Sequence, residues 1–579
     1  MSAIMRRMLR VGLLITGVMA ILANIAIAQD QSTQNDNASV ISGRITTSES
    51  QPLTNARVSV IRSGSNTAGQ TLKVDSNGNF RSRPLEPGLY VVFASVPGLI
   101  REPVSTPTPF VRPGDTVDIK LVKGGVITGT VKNANGDGLV AISVRAIRVK
   151  GANGEPIPFP TSLREGLTDD RGIYRLFSLP AGTYIVSAGG QSRPFGVVPT
   201  AYEGFVPTYA ASATRDTAME IQVTSGSESQ ADVQFREERG HVISGAVNGA
   251  PTSEGLQQWA AGVTVFDLRT RSEVGSVSAQ SFNNYSFALY GVPDGDYEIY
   301  ATHLSNASDQ MASPSMRIKI QGADVTGVRL TVAPLASLEG KVTFESNPQA
   351  SCGKHRATAL VETTINGRRF EPRQPAKDAP PSDVPALARN SNRSSAVDAS
   401  GVFSLKNLQA GTYQIEPAAP ASGWYVRSIT LARNVAANIS RDGVLLKRGD
   451  HVSGLTVAFA EGAAKLKGHL SAAEGQSLPL KLRVYLVPED RESAGNLYRF
   501  YEAAAERDGS FTLDNVAPGR YLLVARRAEE SESGLTRFVR LDETLRTTVL
   551  KEAEALKKAI AFKPCEQVAD FDLAYASTP

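Results

Sequence analysis

One short pattern recurs five times along the chain and limits the possible folds more than any other feature. Each copy has a Leu or Val, then two residues, a Gly, one residue and a Tyr, as in LPAGTY from Leu179. The five tyrosines lie between 94 and 116 residues apart. A pattern at this spacing predicts one structural module of about a hundred residues in five copies. The pairs are Gly88 and Tyr90, Gly182 and Tyr184, Gly295 and Tyr297, Gly411 and Tyr413, and Gly519 and Tyr521.

A second pattern precedes the first at a constant distance. An aromatic residue lies five positions before the Leu or Val of the first pattern. A Gly lies two positions before this aromatic residue, and in most copies an acidic residue lies three positions before the Gly. In module 2 these residues are Asp169, Gly172 and Tyr174. An Asp bonds its own backbone two residues on, and Gly adopts positive φ without steric cost, so this segment predicts a hairpin turn. The third copy departs from the pattern, with Phe282 and Tyr285 in place of the acid and the Gly.

The Gly and Tyr of the first pattern predict a corner of a β-sandwich. A tyrosine at such a corner can bury its ring and donate its hydroxyl to backbone nearby. Because Gly182 has an equivalent in every copy, we interpret it as a turn that the fold requires rather than as part of a ligand pocket. The same interpretation applies to the other four glycines.

Each copy opens on a strand with a central glycine, such as ITGTV from Ile127, and closes on a strand, a turn and a strand. Pro, Gly, Ser, Thr and Val are plentiful and long helical patterns are nearly absent, as in all-β proteins. Residues 547–562 have strong helix propensity, whereas the repeat requires two strands and a turn there. We predict two strands and a turn.

The N-terminus has the pattern of a signal peptide. Arg6, Arg7 and Arg10 form a basic region, an apolar run follows from Val11 to Ile27, and small residues around Ala28 predict cleavage before Gln29. The alternative is an uncleaved membrane anchor, for which the run is somewhat short. No later stretch is apolar for long enough to cross a membrane, so we expect a mature chain that does not span one.

These patterns predict an all-β chain of tandem modules with defined boundaries. The predicted segments are a signal peptide (1–28), a disordered linker (29–37), module 1 (38–123), module 2 (124–236), module 3 (237–334), module 4 (335–461, with a mobile loop at 366–396), module 5 (462–564) and a C-terminal tail (565–579).

Charge and cysteine content restrict the partners and the compartment. Without the three N-terminal arginines the chain has 58 basic and 57 acidic side chains, and it lacks the basic stripe that nucleic acid requires. Two cysteines, Cys352 and Cys565, could pair in an exported protein and tie module 4 to the C-terminal tail. They could equally remain two independent thiols or form an intermolecular bond.

Together, the x-x-G opening, the D-x-x-G-x-[FY] turn and the L-x-x-G-x-Y strand resemble the carboxypeptidase regulatory-like domain. The resemblance covers residues 38 to about 560 and is clearest in modules 1, 2 and 5. It implies five tandem Ig-like or transthyretin-like β-sandwiches of seven strands, similar in shape to prealbumin-like and collagen-adhesin B-type modules. Tandem arrays of this kind resemble exported bacterial proteins. Since the shared motifs are structural, the resemblance implies a fold and a location rather than an activity.

Residue patterns that would carry catalysis or bind a metal are missing from the sequence. None of the five histidines has Glu or Asp three positions on, no zinc-binding helix motif occurs, and we find neither a nucleophile elbow nor a phosphate-binding glycine loop. Asp169 and Asp170 could hold Ca²⁺, but two carboxylates supply too few ligands and turn capping explains Asp169. We therefore expect no catalytic residue, no metal and no cofactor.

A long insertion in module 2, residues 191–217, is the strongest candidate for a binding loop. Its aromatic residues Phe195, Tyr202, Phe205 and Tyr209 could stack on a sugar or anchor a partner protein. The alternative is a long crossover that folds back over its own module.

The sequence favours a non-catalytic exported protein that binds or scaffolds at the cell envelope, in the periplasm, at the outer surface or secreted. Its expected partner is a protein or a polysaccharide. The competing hypotheses are a carbohydrate-binding protein that uses the aromatic loop of module 2 and, more remotely, a hydrolase.

Overall fold

The computed structural model describes much of residues 39–575, and the predicted signal peptide (1–28) and linker (29–37) lie outside the described residues. Further residues outside the description are 64–68, 102–109, 153, 158–159, 161, 192–200, 250–258, 304–309, 348–351, 353–359, 371–392, 420, 433–438, 473–476, 480, 491, 507, 530–537, 541 and 576–579. The chain divides into two compact units, 1–122 and 123–579, and each is described by itself. No helix among the described residues is long and apolar enough to span a membrane.

Module 1 is a sandwich of two sheets, ordered β4-β1-β7-β6 and β3-β2-β5. Its strands are β1 (Ser42–Thr47), β2 (Arg57–Arg62), β3 (Gln70–Lys73), β4 (Asn79–Arg81), β5 (Tyr90–Ser95), β6 (Leu99–Arg101) and β7 (Thr116–Lys123).

Modules 2 and 3 have the same two-sheet plan with additional short strands. The strands of module 2 are β8 (Gly125–Lys132), β9 (Ser143–Lys150), β10 (Ser162–Leu167), β11 (Ile173–Leu179), β12 (Gly182–Ala188), β13 (Thr208–Tyr209), β14 (Ile221–Val223), β15 (Glu228–Gln230) and β16 (Val233–Gln234). Those of module 3 are β17 (His241–Asn248), β18 (Ala260–Asp267), β19 (Ser272–Gln280), β20 (Ser286–Val292), β21 (Gly295–His303), β22 (Met311–Ala312), β23 (Met316–Ile320), β24 (Val325–Thr331) and β25 (Ala333–Pro334).

Modules 4 and 5 each include an α-helix. Module 4 contains β26 (Ala336–Glu345), β27 (Thr364–Phe370), β28 (Arg393–Ala396), β29 (Val402–Leu408), β30 (Gly411–Ala418), β31 (Trp424–Leu431), α1 (Ile439–Asp442), β32 (Val444–Leu446) and β33 (His451–Glu461). Module 5 contains β34 (Ala464–Ser471), β35 (Leu482–Pro488), β36 (Tyr501–Ala504), β37 (Ser510–Val516), β38 (Gly519–Arg527), α2 (Glu543–Leu556), β39 (Ala559–Phe562) and β40 (Gln567–Ala574).

The first strand of each module pairs in parallel with strands near the end of the module and so closes its first sheet. In module 2, β8 pairs with β15 and β16, and the central Gly129 of β8 lies directly beside the carbonyl of Ala231. A Cβ at Gly129 would collide with that carbonyl oxygen and come within 3.0 Å of the Tyr174 hydroxyl. The opening glycine is therefore required by close packing of the first strand against the last.

Alternating side chains from the two sheets of each module form its hydrophobic core. In module 2 the core includes Ile127 and Val131 of β8, and Val144 of β9, all 0% exposed. The other modules have corresponding clusters, so the structure confirms the all-β fold of tandem sandwich modules. Within the described residues modules 1 and 5 have seven strands each, whereas modules 2–4 have more.

The prediction of two strands and a turn at residues 547–562 is wrong for most of that segment. Residues Glu543–Leu556 form α2, whose N-terminus is capped by the Asp542 carboxylate, 2.9 Å from the Leu545 amide. One face of α2 packs Leu545, Val549 and Ala553 on the outer side of the sheet that contains β35 and β38. Helix propensity prevails here because the outer face of this sheet offers an apolar surface that the helix can cover.

The predicted boundary of module 5 at residue 564 is also wrong. The closing strand, turn and strand lie one element later, as β39 and β40, and β40 pairs in parallel with the opening strand β34. Residues 565–574 therefore belong to the module 5 sandwich rather than to a C-terminal tail, and module 5 extends to Ala574. The strand that closes the sheet is needed to cover the core residues of β34.

The predicted mobile loop at 366–396 is too long at both ends. Residues up to Phe370 belong to β27, which pairs with β30, and residues from Arg393 belong to β28, which pairs with β27. These ends are strands because their backbone groups bond to neighbouring strands of module 4. Residues 371–392 lie outside the described residues.

Candidate functional site

The five repeated tyrosines all make the same corner. Each ring is at least 95% buried, and each hydroxyl donates to the carbonyl oxygen four residues upstream over 2.7 to 3.0 Å. In module 2, Tyr184 donates to Pro180. Burial raises the pKa of Tyr184 to about 12, which keeps this hydroxyl protonated and able to donate. The residues and acceptors are Tyr90 and Glu86, Tyr184 and Pro180, Tyr297 and Pro293, Tyr413 and Gln409, and Tyr521 and Ala517.

The glycine of the corner lies against an arginine, which sequence reasoning missed. In module 2, Arg148 donates to the carbonyl of Ala181, and a Cβ at Gly182 would lie 2.6 Å from the Arg148 Nε and 2.5 Å from the Lys150 carbonyl oxygen. Gly182 also has φ +152°, which other residues rarely adopt. Arginines with corresponding contacts are Arg62 at Gly88, Arg369 at Gly411 and Arg499 near Gly519. In module 1, Arg62 lies directly opposite Tyr90 on the paired strand, a register that only the structure shows.

The acidic turn forms as predicted in modules 1, 2 and 4. In module 1 the carboxylate of Asp75 accepts from the Asn77 and Asn79 amides, both at 2.8 Å, and the Asn79 bond holds the pKa of Asp75 below its usual range. In module 5 the carboxylate of Asp508 accepts from the Ser510 amide at 2.9 Å. The turn of module 3 is built from amides instead, because Gln280 and Asn283 cap it reciprocally. Asp169 therefore caps a hairpin, as does Asp398.

The four aromatic residues of the module 2 insertion do not form one surface. Tyr202 and Phe205 each pack edge-on against Phe235 of the same module at 5.8 Å between ring centroids, and Arg239 lies over the Phe205 ring at 4.4 Å. This geometry favours the crossover interpretation for Tyr202 and Phe205. Tyr209 lies apart from them on β13, and Phe195 lies outside the described residues.

Tyr209 lines a cleft of about 640 Å³ between modules 2 and 3, which is the candidate binding site. Its module 2 wall comprises side chains of β9, β10 and β12, including Ile147, Glu165 and Ser187. Its module 3 wall comprises the end of β18, the following turn and the start of β19. A cavity of this volume is within the range of ligand sites in proteins, roughly 300 to 1,000 Å³.

Residues of the cleft also hold the two modules together. Asp216 of module 2 pairs with Arg269 of module 3, and this hydrogen bond raises the pKa of the Arg269 guanidinium. The Gln191 Oε1 accepts from the Tyr290 amide at 2.9 Å. Both walls therefore have defined positions relative to each other.

The wall of module 2 includes a shielded ion pair. Arg145 and Glu165 have side chains that are 12% and 17% exposed, and their closest N and O atoms are 3.5 Å apart. Glu165 also accepts from the Ser143 hydroxyl at 2.6 Å, and Arg145 donates to the Gln191 carbonyl at 2.7 Å. These bonds orient both charged groups at the surface of the cleft.

A second joint connects modules 4 and 5. A disulfide links Cys352 to Cys565, whose Cα atoms are 4.9 Å apart. Tyr498 of module 5 is 3% exposed within the hydrophobic core of module 4 and donates its hydroxyl to the Ile415 carbonyl. Gln414 donates to the same hydroxyl at 3.4 Å.

Among the described residues there is no group of three or more His, Cys, Asp or Glu that could hold a metal ion. Two of the described histidines instead contact neighbouring side chains of module 3. His303 stacks on Trp259 at 5.3 Å between ring centroids, and burial lowers its pKa. His241 lies 3.2 Å from the Asp294 carboxylate.

Comparisons with known proteins agree with this architecture at the N-terminal module. Residues 40–122 match the model of the carboxypeptidase regulatory-like domain. The Homo sapiens BOS complex subunits NOMO3 and NOMO1 are each 24% identical over 288 residues, which are 49% of this chain and 21% of theirs. The chain thus spans about a fifth of the length of the curated relatives it matches.

Several solved structures with partial likeness to this chain come from bacterial proteins. The TIE protein of Bacillus anthracis has a TM-score of 0.14 and 13% identity, covering 70% of this chain and 66% of that one. BcpA, the major pilin subunit of Bacillus cereus, has a TM-score of 0.13 and 12% identity over 51% of this chain and 99% of its own. Two B repeat units of the collagen binding protein of Staphylococcus aureus have a TM-score of 0.12 and 11% identity over 73% and 99%. The match to the carboxypeptidase regulatory-like domain covers residues 40–122, the first of the tandem β-sandwich modules of this chain.

Proposed function

We propose that this chain is a non-catalytic exported protein that binds or scaffolds partners at the cell envelope. The observation that carries the proposal is the set of specific joints between successive modules of residues 123–579. A scaffold has to hold its binding surfaces at defined separations, and joints with directional bonds provide this.

The three joints differ in chemistry but each uses side chains that do not belong to the repeat. Modules 2 and 3 are joined by the Gln191 bond, and modules 3 and 4 by Asn407, whose Oδ1 accepts from the Gln310 amide at 2.8 Å. Modules 4 and 5 share the disulfide and the buried Tyr498. Since repeat folding alone does not require these contacts, they support a role that depends on module arrangement.

Export is supported by two independent features. The N-terminal sequence predicts a signal peptide with cleavage before Gln29. The disulfide between Cys352 and Cys565 is a bond that persists in oxidising compartments and is rare in the cytosol. A periplasmic, outer-surface or secreted protein satisfies both.

Fractionation of cells that make the full-length chain tests this proposal. We expect the protein outside the cytoplasm, beginning at Gln29, with both cysteines resistant to alkylation until a reductant is added. Chemical cross-linking in intact cells should join it to a protein or polysaccharide of the envelope. A cytoplasmic chain with two alkylatable thiols, no envelope cross-link, or a hydrolytic activity on peptide or ester panels would contradict the proposal.

A further inference from the structure

We infer that the outer face of the sheet β3-β2-β5 in module 1, the face turned away from the module core, binds an amphipathic α-helix of a partner protein that carries acidic side chains beside its apolar stripe. This inference rests on the proposed binding function and specifies the chemistry of the partner at one site. Three observations carry it: an exposed apolar patch on β2 and β5, a helix that covers the same face of module 5, and two exposed cations beside the patch.

The apolar patch follows from the alternation of side chains along β2 and β5. The core of module 1 includes Val60 and Val92. Because neighbouring side chains of a strand point to opposite faces, Ile61, Val91 and Phe93 lie on the outer face. Ile61 lies directly opposite Val91 on the paired strand. Ile61 is 36% exposed and Phe93 is 51% exposed, so this face presents large apolar side chains to solvent.

Phe110 enlarges the patch on the far side of β5. Its neighbour Val111 bridges Tyr90 and belongs to the module 1 core. Phe110 therefore points to the outer face, beside Val91, and it is 41% exposed. Contiguous exposed apolar patches mark interaction sites on soluble proteins.

The position of Phe93 is buried in three other modules. Phe93 lies three residues after the corner tyrosine of module 1, and the residues at this position in modules 2, 3 and 5 are Ser187, Tyr300 and Val524. Their exposed fractions are 1%, 7% and 3%, against 51% for Phe93. The repeat places all four residues on the same face of the same sheet. The outer face of module 1 therefore lacks a cover that its equivalents have.

Module 5 shows which element covers this face. Its strands β35 and β38 pair in the same register as β2 and β5, since Val487 lies opposite Leu522, the residue after the corner tyrosine, as Ile61 lies opposite Val91. Val487 and Leu522 belong to one hydrophobic cluster with the apolar stripe of α2, and they are 0% and 7% exposed. Docking of an amphipathic helix is also a common mode of recognition between proteins.

The dimensions of the face fit a helix better than a second copy of the chain. The 14 residues of α2 span about 21 Å, and the six residues of β2 span about 20 Å. Three strands about 4.8 Å apart make a face about 14 Å wide, close to the helix diameter of about 10 to 12 Å. The resulting area of about 300 Å² is well below the roughly 800 Å² that each partner buries in a stable dimer.

The charges beside the patch favour an acidic partner. Arg57 and Lys73 lie opposite each other on β2 and β3 at one end of the outer face, and both are exposed. Neither forms an ion pair with another of the residues that the structure describes. At the same end of the module 5 face, Arg526 pairs with Glu552 of α2, with their closest N and O atoms 3.7 Å apart. A helix on module 1 with a carboxylate at this end would pair with cations in the same way.

Selection from a displayed library of 14-residue helices on the chain of residues 29–579 tests the inference. Three apolar positions spaced by four are fixed, as in α2, and the other positions are random. We expect selected helices to contain more acidic than basic residues, and binding to weaken at least 10-fold when the apolar positions are scrambled out of the stripe. Selection of no helix above background, or equal affinity of the scrambled peptide, would overturn the inference.

Substitutions with matched controls locate the site. Phe93→Ser introduces the residue that module 2 has at this position and should weaken binding at least 10-fold. Its control is Phe177→Ser, since Phe177 is 54% exposed and lies on β11 of module 2. Arg57→Glu with Lys73→Glu should shift the selection towards basic helices. Lys120→Glu, on β7 in the other sheet of module 1, should leave the preference unchanged.

Hydrogen exchange of modules 1 and 2 checks that each variant is folded. Binding that survives Phe93→Ser in a folded chain, or that is lost equally in Phe177→Ser, would overturn the inference. A dimer of the chain that dissociates on Phe93→Ser, measured by analytical ultracentrifugation, would assign the face to a second copy and overturn it. Binding to phosphatidylglycerol vesicles that Phe93→Ser abolishes would assign it to a membrane, with the same consequence. If no helix binds while envelope cross-links persist, only this inference is refuted and the proposed function stands.

Discussion

Removal of the corner hydroxyl of Tyr184 should destabilise module 2 and leave the other modules unchanged. The ring is 0% exposed, and its hydroxyl donates to the Pro180 carbonyl over 2.7 Å. Tyr184→Phe deletes this bond and leaves the carbonyl oxygen without it, at a cost of about 1 to 2 kcal/mol. Tyr184→Ala also removes the buried ring, which costs about 3 to 5 kcal/mol.

Hydrogen exchange of the full-length chain, followed by proteolysis and mass spectrometry, measures this loss module by module. Where exchange of core amides proceeds through opening of the module, 1.4 kcal/mol corresponds to a tenfold rate change. Peptides of β9 and β12 should therefore exchange about 5- to 30-fold faster in Tyr184→Phe. In Tyr184→Ala the acceleration should be about 100-fold or more.

The matched control is Tyr290→Phe, since Tyr290 is 43% exposed and lies outside the corners. Its exchange should equal that of the unmodified chain, and peptides of module 5 should be unaffected in all three variants. An equal acceleration in every module would show that the corner does not stabilise its own module. An unchanged rate in Tyr184→Phe would show that the hydroxyl bond adds nothing.

Three further predictions concern the turn, the opening strand and the disulfide. Because the pKa of Asp75 is lowered in the folded chain, the Asp75 carboxylate stabilises module 1 above its unfolded pKa of about 3.9, and this stabilisation is lost as pH falls through the lower folded pKa. Acid should therefore accelerate proteolysis of module 1 more in the unmodified chain than in Asp75→Asn. The same pH profile in both chains would contradict this prediction. Gly129→Ala should abolish protease resistance of module 2 alone, since the new Cβ meets the Ala231 carbonyl; retained resistance would show that β8 can move away. The double variant Cys352→Ser and Cys565→Ser should have a lower thermal midpoint for modules 4 and 5, measured by calorimetry, because the disulfide links residues 213 positions apart. If the unmodified chain has the same midpoint with and without reductant, the disulfide has no stabilising role.

Local patterns account for what could be predicted from the sequence. The Asp75 turn and the Tyr184 corner each depend on bonds between residues at most four positions apart, so residue type and spacing predict them. The turn of module 3 departs from the pattern, and its amide-capped geometry around Gln280 is correspondingly different. Prediction was weaker where two local tendencies competed, as at Glu543–Leu556, where helix propensity agreed with the structure and the repeat did not.

Long-range contacts account for what could not be predicted. The Arg148 contact with the Gly182 corner joins residues more than thirty positions apart, and the Tyr498 anchor joins two modules. The candidate cleft forms only where modules 2 and 3 pack against each other. The residues of β19 that line it therefore form no motif that could be recognised in the sequence. The sequence predicted that Tyr209 forms one aromatic loop surface together with Tyr202 and Phe205. In the structure Tyr202 and Phe205 pack against Phe235 instead, and Tyr209 lies apart from them.

The amino-acid sequence by itself determined the number of modules, the β-sandwich class, the hairpin turn and the buried tyrosine corner. These follow from short-range sterics and hydrogen bonds that act within a few residues. The tyrosine corner recurs in all five copies, and the acid-capped turn is replaced in the third copy. The tertiary structure alone decided the joints between modules, the place of α2 on its sheet and the cleft between modules 2 and 3. These depend on side chains that are distant in sequence and meet only when complete sandwiches pack against one another.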